Sequence, residues 1–489
     1  MENENKEMMN KTDIQEQPDT VVNDIAPVTS VESDSTVSAP SAEPENTAAV
    51  TPVEPDTSAL APAPKLPIEK LSARQMLELD ACTRCGECSN WCPAYEQDKR
   101  ESLTPRGRAT QFRDIIGRQH GVFSAGSPLG KLLGRKQVTN QEITDFAKDL
   151  YACSTCLQCH YVCPVAIDTV ELWERIRECI VDTGFGPLPN QQDLVLKTQN
   201  YDNPWGQPRS SRARWTKVAK KKKRINVVPK DISKDKAEVL YFVGCTAAYD
   251  TNVEEIGINT VNIFDAAGAD FGFLGNKEKC CGSVLLRMGD ASTFKRLCRE
   301  NTEQFNGLGI KTLVTSCAGC LKTIKEDYPK HAKLNFEVKH TLEYVVDLIK
   351  AGRLKLTQPL NMKITYHDPC HLGRHAGIFD APRELISLIP GVELVEMERT
   401  RENSRCCGAG GGLKSGYPDM QNQIAQKRVA DALQTGATEL VSACPFCYQG
   451  LQVGIQAMDA PIKMRDITEL VCMAIGKAPA TEEDLQEQD

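Results

Sequence analysis

The sequence predicts a mixed fold: an α-helical domain built around two cysteine quartets, then two repeated α/β units, behind a disordered acidic N-terminal tail. Three observations lead there. The 21 cysteines of the 489-residue chain fall into blocks with regular internal spacing. Five of them recur in a second copy at an almost constant offset. Acidic residues, by contrast, crowd into one end of the chain that holds nothing large to bury.

The tail comes first. Residues 1–64 hold 13 acidic residues, two lysines, no aromatic residue and no cysteine, a net charge of −11 in a chain whose total is −8. Such a segment cannot offset its conformational entropy by burial, so disorder is expected through residue 65. The body that remains carries only +3. That excludes a strongly basic nucleic-acid binder, and no apolar run reaches the roughly 18 residues needed to span a membrane. The first residues lack the basic and apolar stretches of a signal peptide. In a reducing compartment so many cysteines read as metal ligands rather than disulfides. A cytoplasmic protein is therefore expected, peripheral on the inner face of the cell membrane only through partner subunits.

Two quartets follow. Cys82, Cys85, Cys88 and Cys92 precede Pro93, and Cys153, Cys156, Cys159 and Cys163 precede Pro164, so each block reads C-x2-C-x2-C-x3-C-P. Three thiolates wrapped on one loop suit three corners of a [4Fe–4S] cube, and the cysteine before proline serves the other cluster of a two-cluster ferredoxin. The expected ligand sets are Cys82, Cys85, Cys88 and Cys163 for one cluster, and Cys153, Cys156, Cys159 and Cys92 for the other. Zinc also takes CxxC pairs, but its sites use two separated pairs without the third cysteine and the Cys-Pro. The 60 residues between the quartets exceed what a minimal bacterial ferredoxin needs. Helical patterns at Glu142–Tyr151 and Val170–Ile180 make the domain resemble the α-helical ferredoxin domain of respiratory iron–sulfur subunits. Residues 118–140 read as a Gly-rich, polar surface loop.

The third block is a duplication. One copy holds Cys245, Cys280-Cys281-Gly282, Cys317 and Cys320; the other holds Cys370, Cys406-Cys407-Gly408, Cys444 and Cys447. The matching cysteines lie 125, 126 and 127 residues apart, a drift too small for chance. In each copy a helix, a glycine (Gly309 or Gly436) and a run of β-formers (Thr312–Thr315 or Glu439–Ser442) precede the final CxxC, the usual signature of a helix-to-strand junction. Each copy is thus an α/β unit with cysteines at strand ends and in the loops after them. Adjacent cysteines diverge too much to fill two corners of one regular cube, and five thiolates exceed the four a cube takes. The spacing therefore suggests an open or unusual cluster.

These motifs resemble the paired cysteine-rich (CCG) domains of heterodisulfide reductases. The full order, helical ferredoxin then two CCG units, resembles the D subunit of that enzyme and its relatives in sulfate reducers. Leu77 to Pro93 (LELDACTRCGECSNWCP), Asn203-Pro204-Trp205-Gly206 and the run from His367 to Arg374 (HDPCHLGR) carry the likeness further. The resemblance implies a noncubane [4Fe–4S] cluster in each CCG unit and reductive cleavage of a disulfide by the cluster pair. It implies Cys245, Cys280, Cys281, Cys317 and Cys320 as ligands of one, and Cys370, Cys406, Cys407, Cys444 and Cys447 as ligands of the other. In the wider family, subunits serving glycolate, lactate or glycerol-3-phosphate dehydrogenases often lack part of one set. Both sets are complete here, which favours a thiol/disulfide substrate over that alternative.

The remaining features are quieter. His367 and His371 flank Cys370 and are candidates to tune a cluster or protonate a leaving thiolate, while His340 precedes the second copy and is placed to reach the repeat interface. Cys179, Cys298 and Cys472 read as buried inert thiols. Arg209 to Arg224 holds nine basic residues and no acid, read as a solvated linker. The expected division is tail 1–65, ferredoxin domain 66–200, basic linker 201–236, α/β units 237–350 and 351–475, and an acidic C-terminal tail 476–489. No quinone, flavin or nicotinamide site is evident, so partners are expected, a membrane cytochrome subunit or a flavoprotein. Four clusters predict about sixteen irons per chain, which iron and acid-labile sulfide assays on anaerobically reconstituted protein would count. About eight would mean that the repeats are empty.

Overall fold

A computed structural model describes residues 59–477; the tail expected over 1–58 and residues 478–489 lie outside it. Short runs of β-formers separated by helices favour parallel pairing, because parallel neighbours need a crossover. That is what forms. β1 (Lys230–Asp231), β2 (Val239–Tyr241), β3 (Phe271–Phe273), β4 (Thr312–Thr315) and β5 (Glu337–His340) make one parallel sheet in the order β1-β3-β2-β4-β5. β6 (Met362–Tyr366), β7 (Val392–Leu394), β8 (Glu439–Ser442) and β9 (Lys463–Asp466) make a second, in the order β7-β6-β8-β9. Without β1 the two orders are the same, as the cysteine repeat requires.

The connection from the first of these strands runs to one side, and the next crosses back to the other. The order therefore reverses between β2 and β4, and again between β6 and β8. Crevices at the carboxyl ends of such strand pairs are the usual binding sites of open α/β sheets. Cys245 follows β2 and Cys317 follows β4, while Cys370 follows β6 and Cys444 follows β8.

The quartets sit in helical surroundings, as expected. Helix Asn140–Tyr151 starts at a capping box of Thr139 and Glu142, and helix Thr169–Asp182 at Asp168, whose carboxylate accepts from the Glu171 N–H. Ile143, Phe146 and Leu150 of the first helix and Trp173, Ile176 and Ile180 of the second are buried.

Three expectations need correction. Residues 59–65 do not behave as tail: the Ala63 N–H donates to Val138 O at 2.8 Å, and the Asn140 N–H to Ala61 O at 3.0 Å. Residues 118–140 are not one loop, and their polar surface also exposes large apolar side chains. Helix Pro105–Gln119 covers the start, and Ser127-Pro128 caps a short helix, Pro128–Leu132. The basic run is not a solvated linker either, since helix Arg214–Lys221 buries Trp215, Thr216 and Ala219, and β1 then joins the first sheet. Charge counting misses this because the basic side chains line the outer face of a helix whose other face carries Trp215.

The helical domain and the repeats dock through buried polar groups. Glu174 pairs with Arg287 at 2.7 Å, and the Tyr151 hydroxyl donates to Met288 O at 2.9 Å. Gly289, at φ +89°, lets two backbones touch: a Cβ there would lie 2.6 Å from Arg177 O. Gly289→Ala should therefore cost at least about 1–3 kcal/mol through strain alone. The measurement is a lowered thermal midpoint alongside Gly307→Ala, a position where a Cβ meets nothing within 4 Å.

Candidate functional site

Strand ends and the loops after them set the thiol positions of both repeats. All ten repeat cysteines are buried and unbridged. They form an unbroken line of neighbours: Cys245 beside Cys280, then Cys281, Cys320 and Cys317, across to Cys444, and on through Cys447, Cys407 and Cys406 to Cys370. The step from Cys317 to Cys444 joins the two repeats. The sulfurs of Cys407 and Cys447 lie 3.4 Å apart. Soft thiolate donors at this density suit iron–sulfur clusters rather than a hard cation. Nine of the ten line a cavity of about 540 Å³; Cys406 faces the other way, into a small recess with Cys156.

The quartets also gather in crossed fashion. Cys82, Cys85, Cys88 and Cys163 surround one recess, which Cys159 also reaches. Cys92 is grouped with Cys153, Cys156 and Cys159 instead. The second quartet lies against the second repeat: Cys406 Sγ is 3.4 Å from Ser154 Oγ, and Cys156, Cys370 and Cys406 pack together. The run from His367 to His375 makes this contact. Arg374 Nε donates to Cys156 O at 2.7 Å, and His375 Nε2 donates to Thr155 O at 2.9 Å.

The candidate histidines divide. His371 lines the cavity, its Nδ1 3.3 Å from Cys370 Sγ. His367 lies behind the thiols, within 4.8 Å of Cys407 and Cys447. Arg428 Nε donates to His367 Nδ1 at 3.2 Å, and an arginine nitrogen has no other role in a hydrogen bond. The ring proton is therefore on Nε2, which is buried without a partner among the described residues. Burial pushes both rings down to about 3, so both are neutral at physiological pH. His340 does reach the repeat interface, where burial holds it near 4 beside Cys444. Cys179, Cys298 and Cys472 are buried apart from the line; burial pushes the first two up to about 12 and about 11.

Two functional side chains escape the sequence reading. Arg212, within the basic run, is 2% exposed and donates from Nη1 to Cys245 Sγ at 3.4 Å. Burial opposes its charge, but Cys245 and Glu278 together hold the guanidinium well above its ordinary value. Glu278, also buried, pairs with Arg212 and accepts from the N–H groups of Val243 and Gly244, just before Cys245. The second is Lys414, which lines the cavity, and whose pKa burial lowers. Its ammonium donates to Gln449 at 3.4 Å, and Gln449 in turn donates to Asp250 of the first repeat. The Lys-Ser pair after the glycine-rich loop 408–412 was the available signal. Gly411 shows why that loop is glycine-rich: a Cβ there would lie 2.3 Å from Cys153 O.

The same features appear in known proteins. The 4Fe-4S dicluster domain family matches residues 78–167, and the cysteine-rich CCG domain family matches residues 239–325 and 364–452. These matches assign iron–sulfur clusters to both regions. The D subunit of the dihydromethanophenazine:CoB–CoM heterodisulfide reductase of Methanosarcina barkeri is 40% identical over 420 residues, 84% of this chain and 98% of that one. Its counterpart in Methanosarcina mazei matches equally well, at 40% over 420 residues. An EtfAB:quinone oxidoreductase of Syntrophomonas wolfei is 29% identical over 83% of this chain and 60% of its own length.

Proposed function

The chain belongs to the heterodisulfide reductase D-subunit family of iron–sulfur oxidoreductases, and from that premise we propose that it reduces a disulfide in the cavity between its two repeats. The observation that carries this reading is the single line of thiols, complete in both repeats, nine of whose ten members open to one cavity. The reaction is RSSR′ + 2 e⁻ + 2 H⁺ → RSH + R′SH, the electrons coming from a reduced partner subunit, a membrane cytochrome or a flavoprotein. Bound clusters supply one-electron steps and a thiophilic metal beside the substrate sulfur.

The chain's own groups supply the rest. Cys82, Cys85, Cys88 and Cys163 would hold the outer cluster, and Cys153, Cys156, Cys159 and Cys92 the inner one. Cys156 abuts Cys406, so the cluster held by the inner quartet would lie beside the second repeat, and Cys317 and Cys444 would link that repeat to the first. Trp205 and Phe446, edge to face at 6.3 Å, offer an apolar wall to the substrate. Lys414 is one of three cationic side chains lining the cavity, with Lys197 and Arg287, and its burial eases release of a proton to a departing thiolate. His367 lies within 4.8 Å of the thiols of Cys407 and Cys447 and serves as a positioning residue behind them, whereas His371, which lines the cavity, is the histidine that meets substrate. No helix among the described residues is long and apolar enough to cross a membrane, consistent with electrons arriving from another subunit.

EPR of the oxidised protein with and without candidate thiols tests the reading. Wild type should change its paramagnetic signal with a thiol product; Cys407→Ser should lose that change and disulfide turnover together, yet still accept electrons at the quartets. No change with any thiol would favour an electron-transfer subunit of a hydroxy-acid dehydrogenase complex. A second test concerns Arg212. Arg212→Gln should lower the reduction potential of the first-repeat cluster by tens of millivolts, about 60 mV per tenfold change in the equilibrium constant. The other three clusters should not move. Arg212→Lys should restore most of the shift, and Arg212→Gln with Glu278→Gln keeps the buried charge balanced in a redox titration.

A further inference from the structure

Residues 117–136 form a knob that turns its large apolar side chains outward. Inside are Ala125 and Gly130, both buried. Outside are Val122, Phe123, Leu129, Leu132 and Leu133, with Leu132 81% and Val122 70% exposed. These are five of the fifteen large apolar side chains that are exposed among the described residues, gathered within twelve positions. The knob is nonetheless well built. The Ala125 N–H donates to Arg118 O at 2.8 Å, Ser127 Oγ donates to Val122 O at 2.7 Å, and the Arg135 N–H donates to Gly130 O at 3.0 Å. A Cβ on Gly130 would lie 1.8 Å from Ser124 O, so its two limbs are in contact. The apolar side chains are thus held outward on a folded support.

The charge is one-sided. From Ile115 to Gln141 there is no carboxylate, while Lys131, Arg135 and Lys136 are cationic; Arg118 is paired with Asp114 and Glu142 at the edges of the segment. Lys131, Arg135 and Lys136 are exposed and make no ion pair among the described residues. Patches of this kind mark an interaction site. Its composition decides which. Protein interfaces are depleted in lysine, and their energetic centres are poor in leucine and valine. Leucine, valine and phenylalanine projecting between lysines and arginines are what an interfacial membrane anchor uses, the apolar groups entering the acyl boundary and the cations meeting anionic headgroups.

We propose that the knob at 117–136 docks the protein directly on an anionic lipid surface, in addition to any hold supplied by a partner subunit. The test is co-sedimentation of the full chain with vesicles of phosphatidylcholine alone and of phosphatidylcholine mixed with phosphatidylglycerol, at low and high salt. Wild type should sediment with the mixed vesicles, much less with phosphatidylcholine alone, and less as salt rises. Leu132→Asp with Leu133→Asp, and Lys131→Glu with Lys136→Glu, should each weaken binding about tenfold or more, since each cation near the surface counts for about fivefold. Leu132→Met with Leu133→Met should bind as wild type. All of these side chains are exposed, and circular dichroism checks that each variant is folded. Wild type remaining in the supernatant, or either charged variant sedimenting unchanged, would overturn the proposal. So would variants that bind vesicles normally but lose a protein partner.

Discussion

One buried guanidinium ties the molecule together. Arg177, fully buried in helix Thr169–Asp182, donates to Leu150 O at 2.8 Å and Cys153 O at 3.2 Å in the helical domain. It also donates to Arg287 O at 2.6 Å in the first repeat and to Gly411 O at 3.0 Å in the second. A charge so deeply buried is costly unless its donors are satisfied; Nη1 and Nη2 reach their carbonyls when all three segments are in place together, while Nε has no partner among the described residues. That need for partners is one restraint on the relative position of quartet and repeats. The Glu174–Arg287 pair and the tight backbone approach at Gly289 restrain the same junction.

That junction gives the duplicated fold an asymmetric task. The two sheets share one strand order, and each repeat carries the same five thiols. Yet among the described residues it is the second repeat that lies against the inner quartet, through Arg374, His375 and Cys406. Their polar surroundings differ as well. Copy one sets the Arg212–Glu278 pair against Cys245, where copy two has neutral His371 beside Cys370 and His367 beside Cys407 and Cys447. Gene duplication supplies equal ligands; different neighbours then give each site its own electrostatics, as outer-shell partners do in metal sites generally.

Much of this was legible in one dimension. The quartets, the repeat and the strands before each CxxC follow from local spacing, because thiols that share a cluster must be brought close by short loops. Thr312–Thr315 and Glu439–Ser442 form strands with the very bounds read from the sequence, each following a helix and a glycine. The errors came where local composition and tertiary packing disagree. Arg212 sits in a run of nine cations, and composition cannot tell the one that turns inward. The segment 118–140 looked like one polar loop from its glycines and serines, yet it folds around buried Ala125 and Gly130 and turns its leucines outward.

The sequence by itself determined the cofactor class, the order of domains and the internal duplication, since cysteine spacing and β-forming runs act over a few residues. Only the tertiary structure decided that the thiols of both repeats form one line across Cys317 and Cys444, and that Cys156 meets the second repeat rather than the first. Those contacts join residues more than a hundred positions apart, and they depend on helix docking and on which buried polar groups find partners. No spacing rule along the chain encodes that.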